Sequence, residues 1–409
     1  MGQNDLPVVI IGAGPVGLAA AAHLAQRGQS FQVLEAGTSV GASILKWGHV
    51  RLFSPWCYLV DKAARNLLEP TGWHMPDPDA DPLGAEFVHD YVEPLAALPA
   101  IHPHVCLNTR VLSVARKGFD KLKSNMRERA PFVIMMETEM GEARVLARAV
   151  IDASGTWNTP NPLGASGTWA LGEKANRDRI EYRIPDVQGT DRARYAGKAI
   201  LVVGSGHSAF NAVIDLENLA RQTINTRITW AVRREHPGQM FAGLSDDQLS
   251  QRGALGERAQ AIVERGAAAL EMGVKIERVE RLGEQVKVHS DDGRVLGPFD
   301  EVIATTGFRP DLSILSELRL KLDEQVDAPF ALAPLIDPNV HSCGSVPPHG
   351  YEELRHPEPD VYIVGMKSYG RAPTFLMLTG YEQVRSVVAA IAGDLESARN
   401  VQLVLPEAH

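Results

Sequence analysis

Short runs of apolar residues, most of them ending at a glycine or a charged residue, dominate the pattern along this chain. Runs rich in Val, Ile, Leu and Ala predict strands that are buried on both faces, as in a parallel sheet. These predicted strands cover residues 7–12, 31–35, 149–153, 199–203, 228–232, 302–305 and 361–364. Helical periodicity predicts a helix over residues 15–27 and a last helix over residues 375–392. The alternation of strands and helices predicts an α/β fold.

Two further stretches have an alternating pattern. Residues 105–116 and 132–148 alternate apolar and polar side chains, with a charged connection at 117–129, and therefore predict a β-hairpin or meander. Residues 161–197 are rich in Gly, Pro and charged residues and predict a connector. The spacing of Ser245 and Gln248 is that of a capping box, which predicts the start of a helix.

A glycine motif follows the first predicted strand and opens the first predicted helix. It has the form G-x-G-x-x-G, and its residues are Gly12, Gly14, Pro15 and Gly17. In such a motif the first glycine permits a tight turn, the second lets the backbone approach a pyrophosphate, and the third allows close packing of helix and strand. The helix N-terminus then presents free N–H groups to the anion. This segment predicts a dinucleotide site.

A second glycine motif stands about halfway along the chain. It has the form G-x-G-x-x-A, and it contains Gly204, Gly206, His207 and Ser208. It also lies between a predicted strand and a predicted helix, which is the context that the mechanism requires. Two such motifs in one chain predict two dinucleotides that meet, one of them most simply a flavin.

The residue that ends the second strand of each unit distinguishes the two dinucleotides. Glu35 follows the strand at 31–34, where an acid accepts hydrogen bonds from ribose hydroxyls and repels a 2′-phosphate. The first site therefore suits FAD or NAD. Arg233 and Arg234 follow the matching strand of the second unit, and guanidinium groups there can clamp a 2′-phosphate. The second site favours NADPH, with a solvated strand end as the alternative interpretation of the two arginines.

Composition restricts the class of protein. The 409 residues are enough for two or three domains, and 44% hydrophobic with 22% charged residues is ordinary for a globular protein. A net charge of −9 argues against nucleic acid or an anionic membrane surface as partner. No apolar run approaches the roughly 20 residues of a membrane span. Three cysteines without C-x-x-C spacing fit a reducing compartment, so we expect a cytoplasmic enzyme.

Taken in order, five features make this chain resemble the two-dinucleotide-binding-domain flavoprotein superfamily, which includes thioredoxin reductase-like enzymes and flavin-containing monooxygenases. They are the first glycine motif, Glu35, the S-G-T-W segment at 154–157, the second motif with Arg233 and Arg234, and A-T-T-G-F-R-P-D at 304–311. The resemblance implies two Rossmann-like domains with parallel sheets and a β-meander, the NADPH domain being inserted in the FAD domain.

The same resemblance implies the domain bounds and further site residues. An FAD domain would comprise residues 1–158 and 311–409, and an NADPH domain with its connector would comprise residues 159–310. Gly155 would contact a cofactor, and Gly365, Thr374 and the N-terminus of the last helix would lie near the flavin ring. Hinges near 156–160 and 309–312 would allow domain rotation. The oligomeric state is left open, with a homodimer as one candidate.

Departures from the superfamily narrow its possible activities. The chain has no redox C-x-x-C, and residues 182–191 lack the histidine fingerprint of N-hydroxylating and Baeyer–Villiger monooxygenases. The leading hypothesis is a monooxygenase whose reduced flavin forms a C4a-hydroperoxide with O₂ and oxygenates a small soft nucleophile or carbonyl compound. The alternative is an NADPH-dependent reductase that passes electrons to a disulfide, a quinone or a partner protein. A flavin-based sensor is a third class, against which the second glycine motif argues.

The remaining candidates each have a functional and a structural interpretation. His207 is a candidate for proton transfer or for capping a helix, and Thr374 is a second catalytic candidate. Trp47 and Arg51 either contact FAD or serve as a core aromatic residue and a surface charge. Cys57 and Cys343 form a redox pair or are buried and inert. Residues 367–374 line a pocket or form a surface loop. No histidine spacing indicates a metal site.

Overall fold

The computed structural model describes residues 5–236, 241, 250–340 and 346–403. Within them the chain forms two compact units. The first unit comprises residues 5–157 and 309–403, and the second comprises residues 158–308. The second unit thus interrupts the sequence of the first.

A parallel sheet forms the centre of the first unit. Its strands are β1 (Val8–Ile11), β2 (Phe31–Leu34), β3 (Val105–Cys106), β7 (Ala149–Asp152) and β16 (Val361–Ile363). They are arranged in the order β16-β7-β1-β2-β3, and Ile11 is in register with Leu34 on one side and Asp152 on the other. Because parallel strands end at the same edge, the segments that follow Ile11, Leu34, Asp152 and Ile363 are neighbours there.

The two faces of this sheet are covered differently. An antiparallel meander covers one face and consists of β4 (Arg110–Arg116), β5 (Phe132–Thr138) and β6 (Gly141–Ala147), whose Val114 and Phe132 pack in one core cluster with Val9 of β1. The first helix, Pro15–Gln26, belongs to the other main cluster and contacts the helix Met377–Ile391. Its alanines, residues 19–22, are fully buried, which allows the close approach.

Shorter helices complete the first unit. They are Ala42–Leu45, Trp56–Leu59, Lys62–Leu68, Gly84–Phe87, Glu93–Ala96, Ala333–Ile336, Tyr351–Leu354 and Leu395–Arg399.

The second unit repeats this architecture around its own parallel sheet. The strands are β8 (Ile180–Glu181), β9 (Ala199–Val203), β10 (Arg227–Ala231), β11 (Ala269–Glu271) and β15 (Glu301–Ala304), in the order β11-β10-β9-β15-β8. An antiparallel meander lies between β11 and β15 in the sequence. It consists of β12 (Ile276–Leu282), β13 (Gln285–Ser290) and β14 (Val295–Phe299). The described helices of this unit are Arg192–Tyr195, His207–Gln222 and Ser250–Glu264.

The predicted α/β class with parallel sheets and a β-meander is confirmed, and three details differ from the sequence-based expectation. Residues 105–106 pair with β2 in the parallel sheet instead of with the meander. The stretch 132–148 splits into β5 and β6 at a tight turn. The expected connector at 161–197 supplies β8, because two residues suffice to extend a parallel sheet at its edge. The predicted helix start at Ser245–Gln248 lies outside the described residues.

The charged connection between β4 and β5 is held by a buried ion network. Glu358 is 2% exposed and lies between Arg116 and Arg127, each 1% exposed. Arg116 Nε donates to Glu358 Oε1 at 2.8 Å, and Arg127 Nη2 donates to Glu358 Oε2 at 2.9 Å. The Arg116 guanidinium also lies over the Phe132 ring, 3.8 Å from its centroid. The network therefore fixes this connection to the residues just before β16.

None of the described helices combines the length and the apolar character that crossing a membrane requires.

Candidate functional site

The first glycine motif forms a tight loop at the carboxyl edge of the first sheet. Gly12 has a φ of +101°, and a Cβ there would lie 2.7 Å from the Ala153 carbonyl oxygen. A Cβ on Gly17 would lie 2.0 Å from the Gly12 carbonyl oxygen. A Cβ on Gly14, in contrast, would have no heavy atom within 4 Å. The outer two glycines are thus required by the fold, whereas the middle one leaves open space beside its backbone.

The helix that follows this loop has no side-chain cap at its N-terminus, so its first N–H groups are available to a ligand. It begins at Pro15, its N-cap is Gly14, and no side chain caps it. Pro15 has no N–H to satisfy, so the fixed φ of proline favours the first turn without a lost hydrogen bond. N–H groups at an uncapped N-terminus bind anions well.

Glu35 lies directly beside the loop. Its carboxylate accepts a hydrogen bond from the Ala13 N–H at 2.7 Å and another from the Gly37 N–H at 2.7 Å. Both bonds fix the carboxylate at the end of β2, and its oxygens retain lone pairs for further donors such as hydroxyl groups. The segment that contains Trp47 starts from the same loop, since the Gly41 N–H donates to the Ala13 carbonyl at 3.0 Å.

Trp47 and Arg51 contact a second segment of the first unit. The Trp47 ring lies against Gly84, where a Cβ would be 3.0 Å from it. The Arg51 guanidinium donates to the Asp81 carbonyl, and the residue is exposed. Arg51 thus has the position of a surface charge, and its contact with FAD stays a prediction.

Strand β7 ends in a turn that faces the glycine loop. The Ser154 N–H and hydroxyl both donate to Asp152 Oδ1, at 3.1 and 2.6 Å. Gly155 then adopts a φ of +69°, and a Cβ there would have nothing within 4 Å. The turn is therefore open on the side of Gly155.

Strand β16 ends at Gly365, which is held by a buried polar network. The Gly365 N–H donates to Gln383 Oε1 at 2.8 Å, and Ser368 Oγ donates to the Gly365 carbonyl at 2.7 Å. Gln383 Nε2 donates to Ser368 Oγ and to His349 Nε2. A Cβ on Gly365 would lie 3.4 Å from Val16, so the network holds Gly365 against the first helix.

His349 is neutral in this network. Burial lowers the pKa of His349 below its usual value. Because Nε2 accepts from Gln383, the proton is on Nδ1, which donates to the Pro347 carbonyl at 3.1 Å. No local sequence pattern marks His349 and Gln383, because their partners are distant along the chain.

Thr374 has a buried hydroxyl without a hydrogen-bond partner among the described residues. The residue is 9% exposed, and its Oγ1 makes no hydrogen bond. It precedes Phe375, whose ring approaches to 2.8 Å of a Cβ built on Gly380 in the last long helix. A buried polar atom without a protein partner fits a ligand that supplies one.

The second glycine motif has the same geometry in the second unit. Gly204 has a φ of +133°, and a Cβ there would lie 2.3 Å from the Thr305 carbonyl oxygen, whereas a Cβ on Gly206 would have nothing within 4 Å. The buried Trp230 donates from Nε1 to the Gly204 carbonyl at 2.8 Å. This loop too is rigid at its first glycine and open at its second.

His207 is the first residue of the helix His207–Gln222, whose N-cap is Gly206 without a side-chain cap. The N-cap position is thus occupied by Gly206, and both interpretations of His207 stay predictions. Its ring is partly buried and meets the Phe210 ring edge-on, 5.8 Å away between centroids. Ser208 follows it and is partly buried as well.

Arg233 and Arg234 lie at the same edge of the second sheet as this loop. Ala231 of β10 is in register with Val203 of β9, so the residues after each strand are neighbours. Both arginines are exposed, and Arg233 Nη1 donates to the Ala165 carbonyl at 3.2 Å. Both arginines thus follow β10 at the edge where the second glycine loop follows β9, and their contact with a 2′-phosphate stays a prediction.

The described cysteines do not form a pair. Cys57 is exposed instead of buried, and partial burial of the thiol together with the Asp79 carboxylate raises the pKa of Cys57. Cys106 in β3 accepts a hydrogen bond from Gln32 Nε2 at 3.3 Å. Cys343 lies outside the described residues. Over the described part of the chain, no group of three or more His, Cys, Asp or Glu side chains is placed to hold a metal ion.

Four observations indicate that these residues fit dinucleotides. Each glycine motif is closed by backbone contact at its first glycine and open at its second. The first helix and the helix His207–Gln222 are both uncapped. Glu35 provides a fixed acceptor, and Thr374 has an unpaired buried hydroxyl. These features fit FAD and a pyridine nucleotide.

Solved structures with a similar fold belong to both reductases and monooxygenases. Bacillithiol disulfide reductase from Bacillus cereus superposes with a TM-score of 0.69 over 95% of this chain and 99% of its own, at 19% identity. A flavin-containing monooxygenase from Stenotrophomonas maltophilia superposes with a TM-score of 0.56 over 94% of this chain and 99% of its own, at 22% identity. At these identities the similarity establishes the fold alone.

Sequence comparison adds a relative and a family. A ferredoxin–NADP reductase from Nocardioides sp. is 24% identical over 322 residues, which are 78% of each chain. A model of the pyridine nucleotide-disulphide oxidoreductase family matches residues 9–331. The predicted resemblance to two-dinucleotide flavoproteins is thereby confirmed. Since the match spans most of the chain, this protein belongs to the pyridine nucleotide-disulphide oxidoreductase family and is an oxidoreductase that uses FAD and NAD(P)H.

Proposed function

We propose that this chain is an NADPH-using monooxygenase that holds FAD in its first unit and oxygenates a small soft nucleophile or carbonyl compound. The observation that carries the proposal is that both glycine loops are open for a dinucleotide, while Cys57 and Cys106 make no dithiol. Electrons then have no thiol relay among the described residues, which favours an acceptor from outside the chain, such as O₂. When bound, FAD supplies hydride acceptance from NADPH and reactivity toward O₂.

The first unit would hold FAD with residues of several strand ends. Gly12, Gly14, Pro15 and Gly17 would seat the pyrophosphate at the first helix, and Glu35 would accept hydrogen bonds from ribose hydroxyls. Gly155 and Gly365 would leave room for the cofactor, and Thr374 would donate its free hydroxyl. We also propose the domain assignment that follows, with residues 1–158 and 311–409 as the FAD domain.

The proposed NADPH domain, residues 159–310, nearly coincides with the second unit, residues 158–308, and would hold NADPH. Gly204, Gly206 and Ser208 would seat its pyrophosphate, and Arg233 and Arg234 would clamp the 2′-phosphate by charge-assisted hydrogen bonds. His207 is our candidate for proton transfer, because an imidazole can exchange a proton near neutral pH.

Replacing Arg233 and Arg234 together with alanine will weaken NADPH binding and leave NADH binding nearly unchanged. Loss of charged hydrogen bonds to the phosphate should cost about 1–3 kcal/mol, or roughly 5- to 150-fold in Kd. Titration of the variant with each nucleotide, followed by flavin fluorescence, measures the two constants. Arg227→Ala is the matched control, since Arg227 is exposed on the same strand at its opposite end. An equal loss for NADPH and NADH would refute the assignment of these arginines.

The monooxygenase itself is tested by stopped-flow absorbance. The FAD-loaded protein is reduced with NADPH without oxygen and then mixed with O₂. We expect a transient spectrum that differs from those of the reduced and oxidised enzyme. It should last for seconds while NADP⁺ is bound, because a site that excludes water protects a reactive species from decay. Direct reoxidation without a transient would reject the proposal.

The alternative is an NADPH-dependent reductase that passes electrons to a disulfide, a quinone or a partner protein. It is favoured by the ferredoxin–NADP reductase relative, which matches over 78% of both chains. Turnover that depends on an added acceptor, with direct reoxidation by O₂, would select it.

A further inference from the structure

A lysine is buried at the carboxyl edge of the first sheet, next to the first glycine loop. Lys367 is 2% exposed, and its Nζ donates to Asp152 Oδ2 at 2.7 Å and to Ser154 Oγ at 3.0 Å. Asp152 is fully buried. The alternative that residue 367 belongs to a surface loop is therefore wrong, and its place in a pocket stays a prediction.

The ion pair lies beside the first glycine loop, between the ends of β1 and β16. Asp152 is in register with Ile11, the residue before Gly12, and with Ile363 of β16. A Cβ on Gly12 would lie 3.1 Å from the Ser154 Cα. The turn that Lys367 holds is thus in contact with the loop that would seat the pyrophosphate.

Lys367 compensates the negative charge of Asp152. A buried carboxylate beside the loop would repel the pyrophosphate, and the repulsion is strong where water is excluded. A buried ion pair is also no general source of stability, because desolvation of both ions offsets their attraction. We therefore attribute the ion pair at this edge to the electrostatics of the site, where the lysine offsets the carboxylate charge. Nearby, hydrogen bonds from Ser313 and, to a smaller extent, the positive charge of Lys367 lower the pKa of Asp311.

We propose that Lys367 is a positioning residue for FAD: its ammonium cancels the charge of Asp152 at the pyrophosphate and holds the Asp152–Gly155 turn against the first glycine loop. This inference rests on the proposed FAD site in the first unit.

The test is the FAD dissociation constant of full-length apoprotein, measured by fluorescence titration at pH 8. Lys367→Met keeps a linear side chain and removes the charge, and we expect FAD binding to weaken about 10- to 100-fold. Asp152→Asn removes the opposite charge, so binding should be unchanged or tighter. The double variant carries neither charge and should bind FAD several-fold more tightly than Lys367→Met alone.

The sign of the two single effects separates electrostatics from structure. If the pair only maintains the turn, both single variants will weaken FAD binding, and the proposal is overturned. If Lys367→Met yields no folded apoprotein by circular dichroism, the comparison of the double variant with Asp152→Asn still measures removal of the ammonium, and equal constants would overturn the proposal. A wrong assignment of the FAD site gives a different result, because the Gly14→Val variant would then bind FAD as tightly as the wild-type protein does.

Discussion

Gly14→Val will give a folded protein that no longer retains FAD. Gly14 has a φ of −80° and a ψ of −179°, an extended conformation that valine adopts readily, and a Cβ there meets no protein atom within 4 Å. The valine side chain would therefore occupy space beside the helix N-terminus, where the ligand would be seated. We expect FAD affinity to fall at least about 100-fold, or roughly 3 kcal/mol. The flavin absorbance of the purified protein and a titration of the apoprotein measure this loss.

Gly206→Val is the matched control for this experiment. Gly206 occupies the same place in the second motif and also has an extended backbone and free space at its Cβ. Its variant should retain FAD and lose reduction by NADPH. A Gly14→Val protein with full FAD content would show that the first loop does not seat the cofactor.

Gly17→Ala should behave differently from Gly14→Val, although the two positions belong to one motif. The added methyl would lie 2.0 Å from the Gly12 carbonyl, so the loop itself must deform. The unfolding temperature and the FAD content of Gly17→Ala should both fall, whereas Gly14→Val should lose FAD and keep the unfolding temperature of the wild-type protein. The pair therefore distinguishes a glycine required by the fold from one required by the ligand.

The glycine motifs could be predicted from sequence because their cause is local. The turn, the positive φ and the start of the helix lie within six residues, so the pattern at 12–17 is sufficient. The strands β1, β7, β9 and β15 are similarly marked by their apolar runs. Their shared edge follows from the rules for parallel sheets, which predict that the strand ends before Glu35 and Arg233 lie at the same edge as the glycine loops.

What the sequence did not indicate depends on partners far along the chain. Lys367 is 215 positions from Asp152, and no local pattern predicts burial of a lysine. Its one signal was Asp152 itself, a charged residue at the end of an apolar strand. The second meander was missed although Val279, Val286 and Val288 face its core, because alternation in β12 is interrupted by charged pairs. Strand β8 is too short to have a pattern.

Glu358→Gln will destabilise the first unit by about 3–5 kcal/mol. Burial alone would raise the pKa of Glu358, but the hydrogen bonds from Arg116 and Arg127 outweigh this effect and hold the pKa below its usual value. Glutamine has nearly the same shape, so packing is preserved while two buried guanidinium groups lose their counter-ion. Its amide N–H would also point at one of them. In a unit of this size the unfolding temperature should fall by roughly 10 °C.

Differential scanning calorimetry of the full chain measures this loss, and Glu69→Gln provides the control. Glu69 forms an ion pair with Arg65 at 2.6 Å, but both side chains are about half exposed, so its loss should hardly change the transition. Equal shifts for the two variants would mean that the buried network contributes no more than a surface pair. The network joins residues 116–127 to Glu358, just before β16, so its loss should also loosen Gly365 at the proposed FAD site. FAD should therefore dissociate from Glu358→Gln at a lower temperature than from the control.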